Sequence, residues 1–485
     1  MSIPLILCTA LAVFVIWLYK IFLQTATSPL LRSPPALPIL GHLLKIPHQH
    51  PWLVFTEWAR IYGDIIPLKV FGRRLLVLSS IGDVHELFEK RSSIYSERAP
   101  RQMAYLCGFR DALIFKMYDK DTRKARRLLH AELNKHAIKS RRQLCEREVV
   151  KFIRRLAHPL PDIGFEGRLL SASMILMIVY GYQTKPENDT IVSVSLQVMR
   201  YLEKVITPNA YLVDALPFLR FVPSWFPGAR FQVEAQRCRK LVDKMVTAPY
   251  DDSVWRMSRG QIPACLISKN AEKCEENDES KLLMWTAAQL FGDPFASSSL
   301  NVVTAGSHTS TSTIKFFFLA MVLHPEVQKE LQDEADRVTG GSRLPNLSDR
   351  CAMPYLECVL KEVYRWRPVA PLVAHSCRID DHYNGLHIRA GTVVMANVWA
   401  MAHDPDTYPN PDLFLPERFL SPEARDPRYF VFGFGRRICP GVHLAEDLLW
   451  MTMATVATTM NILPALDDNG NEVFPDSTFT TGAVM

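Results

Sequence analysis

The stretch FGFGRRICPG, from Phe432 to Gly441, constrains the fold more than any other part of the chain. It places one cysteine, Cys439, among three glycines, two adjacent arginines and a proline. A disulfide cysteine needs a partner, and a buried structural cysteine has no need of such neighbours. The loop therefore predicts that a bound group lies against the Cys439 sulfur.

Each residue around Cys439 has a chemical role if the bound group is a heme whose iron takes Cys439 as its ligand. A thiolate ligand donates electron density to iron and favours O–O cleavage. Phe432 is predicted to pack against the sulfur, Gly435 to allow a tight turn, and Arg437 to neutralise a heme propionate. Gly441 lets the next helix approach the ring, and the N–H groups at its start are expected to lower the pKa of the thiol.

These residues match the pattern F-x-x-G-x-R-x-C-x-G at every fixed position, and the chain resembles the cytochrome P-450 family of heme-thiolate monooxygenases. The motifs KEVYR and PERF precede the loop in the family's order. The resemblance implies that Glu362, Arg365 and Arg418 form a buried ion network that supports the loop. It also implies heme b with Cys439 as the metal ligand, in a mainly α fold with one large heme-binding helical domain and small β-sheets.

The stretch AGSHTS resembles the family's oxygen-side helix motif, A/G-G-x-D/E-T-T/S. The resemblance implies that Ala305 and Gly306 leave a groove beside the cofactor and that Thr309 manages protons. His308 stands where the family has an acid. Because an imidazole can also carry protons near neutral pH, we expect His308 to assist Thr309, with weaker coupling as the alternative.

Three further features concern the cofactor and its surroundings. The stretch YDKDTRKARRLLH resembles the helix whose W-x-x-x-R pair holds heme propionates; Arg126 matches the arginine, but Thr122 stands at the tryptophan position. His375 is predicted to be an additional propionate donor, and a buried core histidine is the alternative. The segment Gly292–Thr304 contains Pro294, which should break or kink a helix. It indicates either a bulging insertion or retained non-coding sequence.

The first segment of the chain is almost uncharged, since Lys20 is the only charge in residues 3–23. A bilayer-spanning helix needs ~20 apolar residues, and the positive-inside bias leaves the rest of the chain in the cytosol. We predict a transmembrane anchor over 1–25, a proline-rich linker over 26–50 and a heme-thiolate monooxygenase domain over 51–485, with a C-terminus shorter than usual. A cleaved signal peptide is the alternative, but no basic n-region precedes the apolar run.

The composition of the chain limits the classes of binding partner and of structural site that can be expected. The formal charge of +6 is too small to indicate nucleic acid. Ten cysteines without a C-x-x-C pair exclude a disulfide scaffold or a zinc ribbon. Basic residues cluster over 123–142, where they are predicted to contact an acidic flavoprotein reductase, a solvated helix face being the alternative. The polar residues 251–280 are predicted to form an exposed loop.

The resemblance implies a single-pass membrane protein of the endoplasmic reticulum, with its catalytic domain in the cytosol. It would insert one atom of O2 into a lipophilic small molecule, using electrons from an NADPH-cytochrome reductase. The chain is similar to filamentous-fungal secondary-metabolism members, including the O-methylsterigmatocystin oxidoreductase type. Two alternatives stay open. One is a reductase-independent heme-thiolate isomerase or dehydratase, and the other is an impaired heme-binding remnant.

Overall fold

A computed structural model describes residues 32–38, 40–47, 49–158, 161–185, 189–206, 210–274, 277–291 and 307–475. The predicted anchor over 1–25 and the segment Gly292–Thr304 lie outside these residues. Ala305 and Gly306 also lie outside them, as do the C-terminal residues after 475.

Helices make up most of the described chain, and the predicted mainly α architecture with small sheets is confirmed. In chain order the helices are α1 (Pro51–Tyr62), α2 (Ile81–Val84), α3 (Gln102–Leu106), α4 (Lys120–Leu133), α5 (Lys135–Lys139), α6 (Arg142–Leu156), α7 (Ile163–Tyr180), α8 (Thr190–Ile206), α9 (Leu212–Ala215), α10 (Arg230–Ser258), α11 (Leu266–Asn270), α12 (Asn277–Phe291), α13 (Ser307–Leu323), α14 (Pro325–Thr339), α15 (Pro354–Trp366), α16 (Val398–Ala402), α17 (Arg428–Val431) and α18 (Val442–Thr459). The strands are β1 (Ile65–Val70), β2 (Arg73–Leu78), β3 (Leu372–Ser376), β4 (Asp381–Tyr383), β5 (Leu386–Ile388), β6 (Val393–Asn397), β7 (Ala465–Leu466) and β8 (Glu472–Val473).

The largest described sheet has the strand order β1-β2-β6-β3. β1 and β2 form an antiparallel hairpin, β2 pairs with β6 in parallel, and β3 closes the sheet antiparallel to β6. The hairpin turn carries Phe71 and Gly72, both with positive φ. All five residues of β3 are buried, so this edge of the sheet is covered by the rest of the protein.

The helical core is centred on α7, which carries no charged residue after Arg168 and is mostly buried from Leu169 to Tyr180. Asp162 caps its N-terminus by accepting the N–H of Phe165, and Gly181 ends it in the left-handed conformation. α7 is the one helix in the described ranges long and apolar enough to cross a membrane, and most of it is buried inside the protein. α13 packs closely against it: a Cβ on Gly167 would lie 3.1 Å from Thr311 Cγ2.

Residues 251–274 and 277–280 form more secondary structure than the predicted exposed loop. α10 continues to Ser258, α11 follows, and α12 already begins at Asn277. The cause is a set of buried contacts that the polar composition hides. Ser253 donates to the Pro249 and Tyr180 carbonyls, and the side chains of Cys265, Leu266 and Ile267 are fully buried.

The last part of the predicted linker is fixed to the sheet through His42, which is buried. Its Nδ1 accepts the Lys69 N–H at 2.9 Å, and its Nε2 donates to the Pro34 carbonyl at 2.8 Å. Gly41 has φ +64°, and a Cβ there would lie 2.3 Å from the Lys69 oxygen. The chain is therefore tied to β1 from Pro34 onward.

Candidate active site

The cysteine loop begins with a backbone path that only glycine permits. Gly435 has φ +52°, and a Cβ there would lie 2.1 Å from the Phe88 carbonyl oxygen. Its N–H donates to Glu89 Oε1 at 2.6 Å. The Cys439 N–H then donates to the Phe432 carbonyl at 2.8 Å, which closes the loop on itself just before α18.

Cys439 and Phe432 line a largely apolar cavity together with Thr309 of α13. The Phe432 ring packs edge-on against Tyr364, with ring centroids 5.4 Å apart. Gly441 precedes α18, and a Cβ on it would still clear the Cys439 sulfur by 3.9 Å. The structure thus brings the proposed ligand, its aromatic neighbour and the proposed proton-managing threonine to one space.

The pKa of the Cys439 thiol differs from expectation. Burial raises it, and the Gly441 N–H and the Arg126 charge offset only part of that effect. The sequence suggested a net lowering by the helix start, but desolvation is the larger influence here. A thiol that coordinates a metal ion is deprotonated by the metal itself, so a bound heme iron would keep Cys439 as the thiolate.

The structure brings Glu362, Arg365 and Arg418 together. Arg365 and Glu362 are fully buried and form a bidentate pair with N–O distances of 2.7 and 2.8 Å. Arg418 reaches the same carboxylate at 3.3 Å. The remaining Arg365 donors go to the carbonyls of Ala402, Pro411 and Leu413. The network therefore fixes the segment 402–418 that precedes the cysteine loop.

Arg437 ties the loop to distant backbone. Its Nε donates to the Ser96 carbonyl at 2.8 Å, and its two Nη atoms donate to the Leu113 and Lys116 carbonyls at 2.9 and 2.8 Å. Burial lowers the pKa of Arg437 to about 10, and the nearby Arg126 charge contributes in the same direction. Buried charges that repel one another call for an anion between them.

Sequence reasoning missed Arg98, which completes this positive cluster. Its guanidinium donates to the Ala374 carbonyl, while its Nε has no partner among the described residues. Burial, followed by the charges of Arg437 and Arg126, lowers the pKa of Arg98 to about 9. No sequence motif indicates Arg98, because its place in the cluster depends on a long-range β-bridge between Glu97 and Ser376.

His375 lies in the same cluster, buried and stacked on Phe88 at 4.2 Å between ring centroids. Within the part of the chain that the structure describes, neither ring nitrogen has a hydrogen-bond partner of normal geometry. Burial holds its pKa well below the usual value, and the charges of Arg98 and Arg437 add to this. Unpaired buried nitrogens are costly, so a polar group of a ligand is expected here.

Arg126 donates to the Ile438 carbonyl at 2.7 Å, next to the cysteine. Thr122, in contrast, is fully buried and its hydroxyl donates to the Met117 carbonyl at 2.6 Å. The Thr122 hydroxyl is therefore already hydrogen-bonded locally and is not part of the arginine cluster. The three arginines and the neutral His375 fit the two carboxylates of a heme, and Arg126 connects this cluster to the cysteine loop through the Ile438 carbonyl.

The oxygen-side helix is described from Ser307 onward. Thr309 is half-buried and lines the cavity, and its carbonyl accepts the hydroxyl of Thr313 at 2.9 Å. The side chain of His308 lies outside the described residues, as do Ala305 and Gly306. Ser171 of α7 also lines the cavity, a contact that no sequence motif indicates.

Comparisons with known proteins agree with this geometry. A sequence profile described as Cytochrome P450 matches residues 31–465. The chain is 36% identical to "Cytochrome P450 monooxygenase 45" of Postia placenta over 488 residues, covering 100% of this chain and 90% of that protein. It is 34% identical to "Cytochrome P450 monooxygenase COX1" of Coprinopsis cinerea, covering 91% and 86%. A zebrafish cytochrome P450 solved with progesterone has a TM-score of 0.71 at 23% identity, covering 90% of this chain and 96% of that one, and shows the fold alone.

Proposed function

This chain belongs to the cytochrome P450 family and is a monooxygenase, and from this premise we propose that it oxidises a lipophilic small molecule of fungal secondary metabolism at the membrane. The single observation that carries the proposal is that Cys439 and Thr309, from distant parts of the chain, line one largely apolar cavity.

Members of this family carry heme b with a cysteine thiolate on the iron, and when bound this group supplies the activation of O2. Cys439 is the proposed ligand, and Phe432 covers the sulfur side. Arg98, Arg126, Arg437 and His375 are the proposed partners of the two propionates, whose negative charge would relieve the repulsion among the arginines.

On the oxygen side, Thr309 is proposed to hold and pass protons within the cavity, with His308 as its assistant. Ala305 and Gly306 are proposed to leave room for O2 and substrate. A threonine hydroxyl both donates and accepts hydrogen bonds, which suits it to hold a proton in place while an apolar wall keeps bulk water out. Glu362, Arg365 and Arg418 remain structural in this proposal.

The substrate is proposed to be lipophilic because the described cavity wall is mostly aliphatic, with Met174, Ile175 and Ile178 of α7 and Leu448 of α18. Fungal relatives named as P450 monooxygenases support a place in fungal metabolism. The O-methylsterigmatocystin oxidoreductase type remains the finer proposal for the subgroup.

Membrane attachment is proposed through an anchor over 1–25 and a linker over 26–50, with the catalytic domain over 51–485 on the cytosolic face of the endoplasmic reticulum. An exposed apolar surface supports contact with lipid. Large hydrophobic side chains project into solvent at Leu212, Phe218, Phe221, Trp225 and Phe226, and patches of this kind mark protein or membrane interaction sites.

An NADPH-cytochrome reductase is the proposed electron donor. The exposed basic side chains of Arg123, Arg127 and Lys139 lie near the start of α4 and on α5. They offer an acidic partner a positive surface, while Arg141 and Lys124 are already paired with Glu132 and Glu279. Such surfaces mainly accelerate association and depend on ionic strength.

Microsomes containing this chain with and without a reductase test the proposal. We expect a reduced-CO difference band typical of thiolate-bound heme and product formation that requires both NADPH and the reductase. Product formation without either would support the isomerase or dehydratase alternative. A missing thiolate band would support the impaired remnant and would contradict the proposal.

A further inference from the structure

The hairpin formed by β4 and β5 carries two histidines on the side that faces solvent. His382 on β4 and His387 on β5 are directly paired in the antiparallel register, and both are exposed. Their rings are stacked, with centroids 4.7 Å apart and an angle of 13° between the ring planes. We call these two residues the histidine pair. Imidazole nitrogen is a common ligand of zinc, copper and nickel, so the pair is a candidate metal site.

The turn of the hairpin determines how close the two histidines are. Tyr383 and Leu386 flank a two-residue turn, in which Asn384 and Gly385 have φ values of +47° and +74°. This is the conformation of the type I′ turn, which Asn-Gly favours in tight hairpins. Because the residues that flank such a turn form a hydrogen-bonded pair, the histidine pair is at the next, non-hydrogen-bonded position, where the Cα atoms are only about 4.5 Å apart.

The opposite face of the hairpin is bonded to the body of the protein. Asp381 accepts hydrogen bonds from Arg91 at 3.0 Å and from the Tyr95 hydroxyl at 2.9 Å. The Tyr383 hydroxyl donates to Asp83 at 2.6 Å. The histidine pair is therefore held on a fixed scaffold. Binding an ion there would need to order few further groups, which lowers the entropic cost of binding.

Asp380 orients one member of the histidine pair. Its Oδ2 accepts from His387 Nε2 at 3.0 Å, and its Oδ1 accepts the Ala390 N–H at 2.8 Å. A carboxylate on one ring nitrogen leaves the other nitrogen, Nδ1, free to bind a metal and makes it a better ligand. The His382 ring is stacked on His387, and neither of its nitrogens has a hydrogen-bond partner in the part of the chain that the structure describes.

Positive charges beside the histidine pair limit the kind of ion that can bind. Burial lowers the pKa of Arg74, the charge of Arg389 lowers it further, and Asp380 offsets part of this. Two arginines and one carboxylate therefore lie within electrostatic range of one another. A hard cation such as Ca²⁺ needs several oxygen ligands, and the arginines would repel it. A transition-metal ion gains coordinate bonds from two imidazoles, which offset this repulsion.

The number of ligands indicates how firmly an ion would be held. In residues 32–475, apart from the segments that the structure does not describe, no group of three or more histidine, cysteine, aspartate or glutamate side chains is arranged to hold a metal ion. The histidine pair would supply two ligands and water would supply the others. A closed structural zinc site has four protein ligands, so an ion at the pair would be exchangeable.

We propose that the histidine pair is a surface site for a divalent transition-metal ion such as Zn²⁺, with His382 and His387 as its protein ligands. Asp380 is the positioning residue that orients His387. The site is remote from the cavity of Cys439 and Thr309, whose described lining includes neither histidine. The inference goes beyond the proposed function and does not rest on it.

Calorimetric titration of the holoenzyme, prepared without a histidine tag, with zinc chloride tests the site. We expect a single zinc ion per chain at the tightest site. Asp380→Asn should weaken zinc binding about tenfold, because loss of an orienting partner costs about 10–100-fold in metal affinity. His382→Asn and His387→Asn each remove a ligand and should each weaken binding more, by at least about 30-fold.

Three controls separate the site from general effects of histidine and charge. His136→Asn removes an exposed histidine of α5, outside the pair, and should leave the zinc affinity unchanged. Calcium chloride should give no saturable heat and should not compete with zinc. Arg389→Gln removes a nearby positive charge and should tighten zinc binding about threefold, with a gain that shrinks at high salt.

Zinc binding weaker than about 1 mM, equal zinc affinity in wild type and His382→Asn, or competition by calcium would overturn the inference. The histidine variants should keep the reduced-CO band of the wild type, and loss of that band would show that the pair has a structural role instead. The proposed function fails separately, by loss of the thiolate CO band or of NADPH-dependent product in the wild type.

Discussion

The cysteine side and the oxygen side of the cavity are held in different ways. On the cysteine side, polar side chains bond to backbone far away in sequence, as Arg437 does to Ser96, Leu113 and Lys116. On the oxygen side, α13 packs against α7 through small residues, as where Thr311 lies against Gly167. The described hydroxyl of Thr313 bonds only within its own helix.

Substitutions on the two sides should therefore affect different properties of the protein. Long-range polar bonds with buried charges make the cysteine side a condition for folding and cofactor retention. On the oxygen side, small residues allow the helices to pack closely. A substitution of a cavity-lining side chain there should change the chemistry of the site without loss of the fold. Four changes, from the largest expected effect to the smallest, test this contrast.

Cys439→Ser should abolish the thiolate CO band and lower turnover by at least about 10³-fold, because the replaced ligand no longer donates sulfur electron density to the iron. Reduced-CO spectra and product assays in reconstituted membranes measure both. Cys351→Ser, at an exposed position away from the cavity, should leave both unchanged. A thiolate band in Cys439→Ser would contradict the assigned ligand.

Glu362→Ala should lower the free energy of unfolding by about 3–5 kcal/mol, since it leaves two arginines, one of them fully buried, without their carboxylate. Chemical denaturation monitored by tryptophan fluorescence measures the loss. Asp349→Ala removes the partner of the more exposed Arg343 and should cost less than about 1 kcal/mol. Equal costs for the two variants would break the contrast between buried and exposed ion pairs.

Acid should destabilise the segment that the Glu362–Arg365 pair holds, through His403, which stacks on Trp399 at 3.6 Å. Burial lowers its pKa to about 3, and the Arg365 charge contributes. Between that value and the unfolded pKa near 6.5, only the unfolded chain binds the proton, so stability falls as pH falls. From pH 7.5 to pH 5 the loss should be about 2 kcal/mol.

Denaturation of wild type and His403→Gln at both pH values measures this contribution. The variant should be less stable at neutral pH but should lose about 2 kcal/mol less on acidification. His136→Gln, on the exposed face of α5, serves as the control and should keep the wild-type slope. An unchanged slope in His403→Gln would show that other groups set the acid response.

Thr309→Ala should lower product formed per NADPH about tenfold, a change of about 1.4 kcal/mol in the coupled step. Folding stability and the thiolate CO band should stay as in wild type, because the change is on the oxygen side. Thr309→Ser keeps the hydroxyl and should retain most of the coupling. If Thr309→Ala instead loses heme, the two sides of the cavity are not independent.

Sequence alone predicted the features that depend on local spacing. The loop around Cys439 follows from a short motif, and the family resemblance that the motifs carry implied the helical architecture and the pairing of Glu362 with Arg365. Arg98 was missed because its place beside His375 depends on chain segments far apart in sequence. The helices within residues 251–280 were missed because a few buried side chains outweigh a polar composition. The raised pKa of Cys439 was missed because it depends on the burial of the thiol, which no motif indicates.

The tie between Pro34, His42 and Lys69 has a kinetic consequence for a chain anchored as proposed. His42 links Pro34 to the sheet, so a movement of the chain at Pro34 would be transmitted to the catalytic domain. A cavity lined by Leu44 and Leu212 lies only a few residues beyond that link. With the proposed anchor, this cavity would stay close to the bilayer, and substrate would reach it by lateral diffusion in lipid. The apparent KM should follow the mole fraction of substrate in the membrane and not its concentration in water.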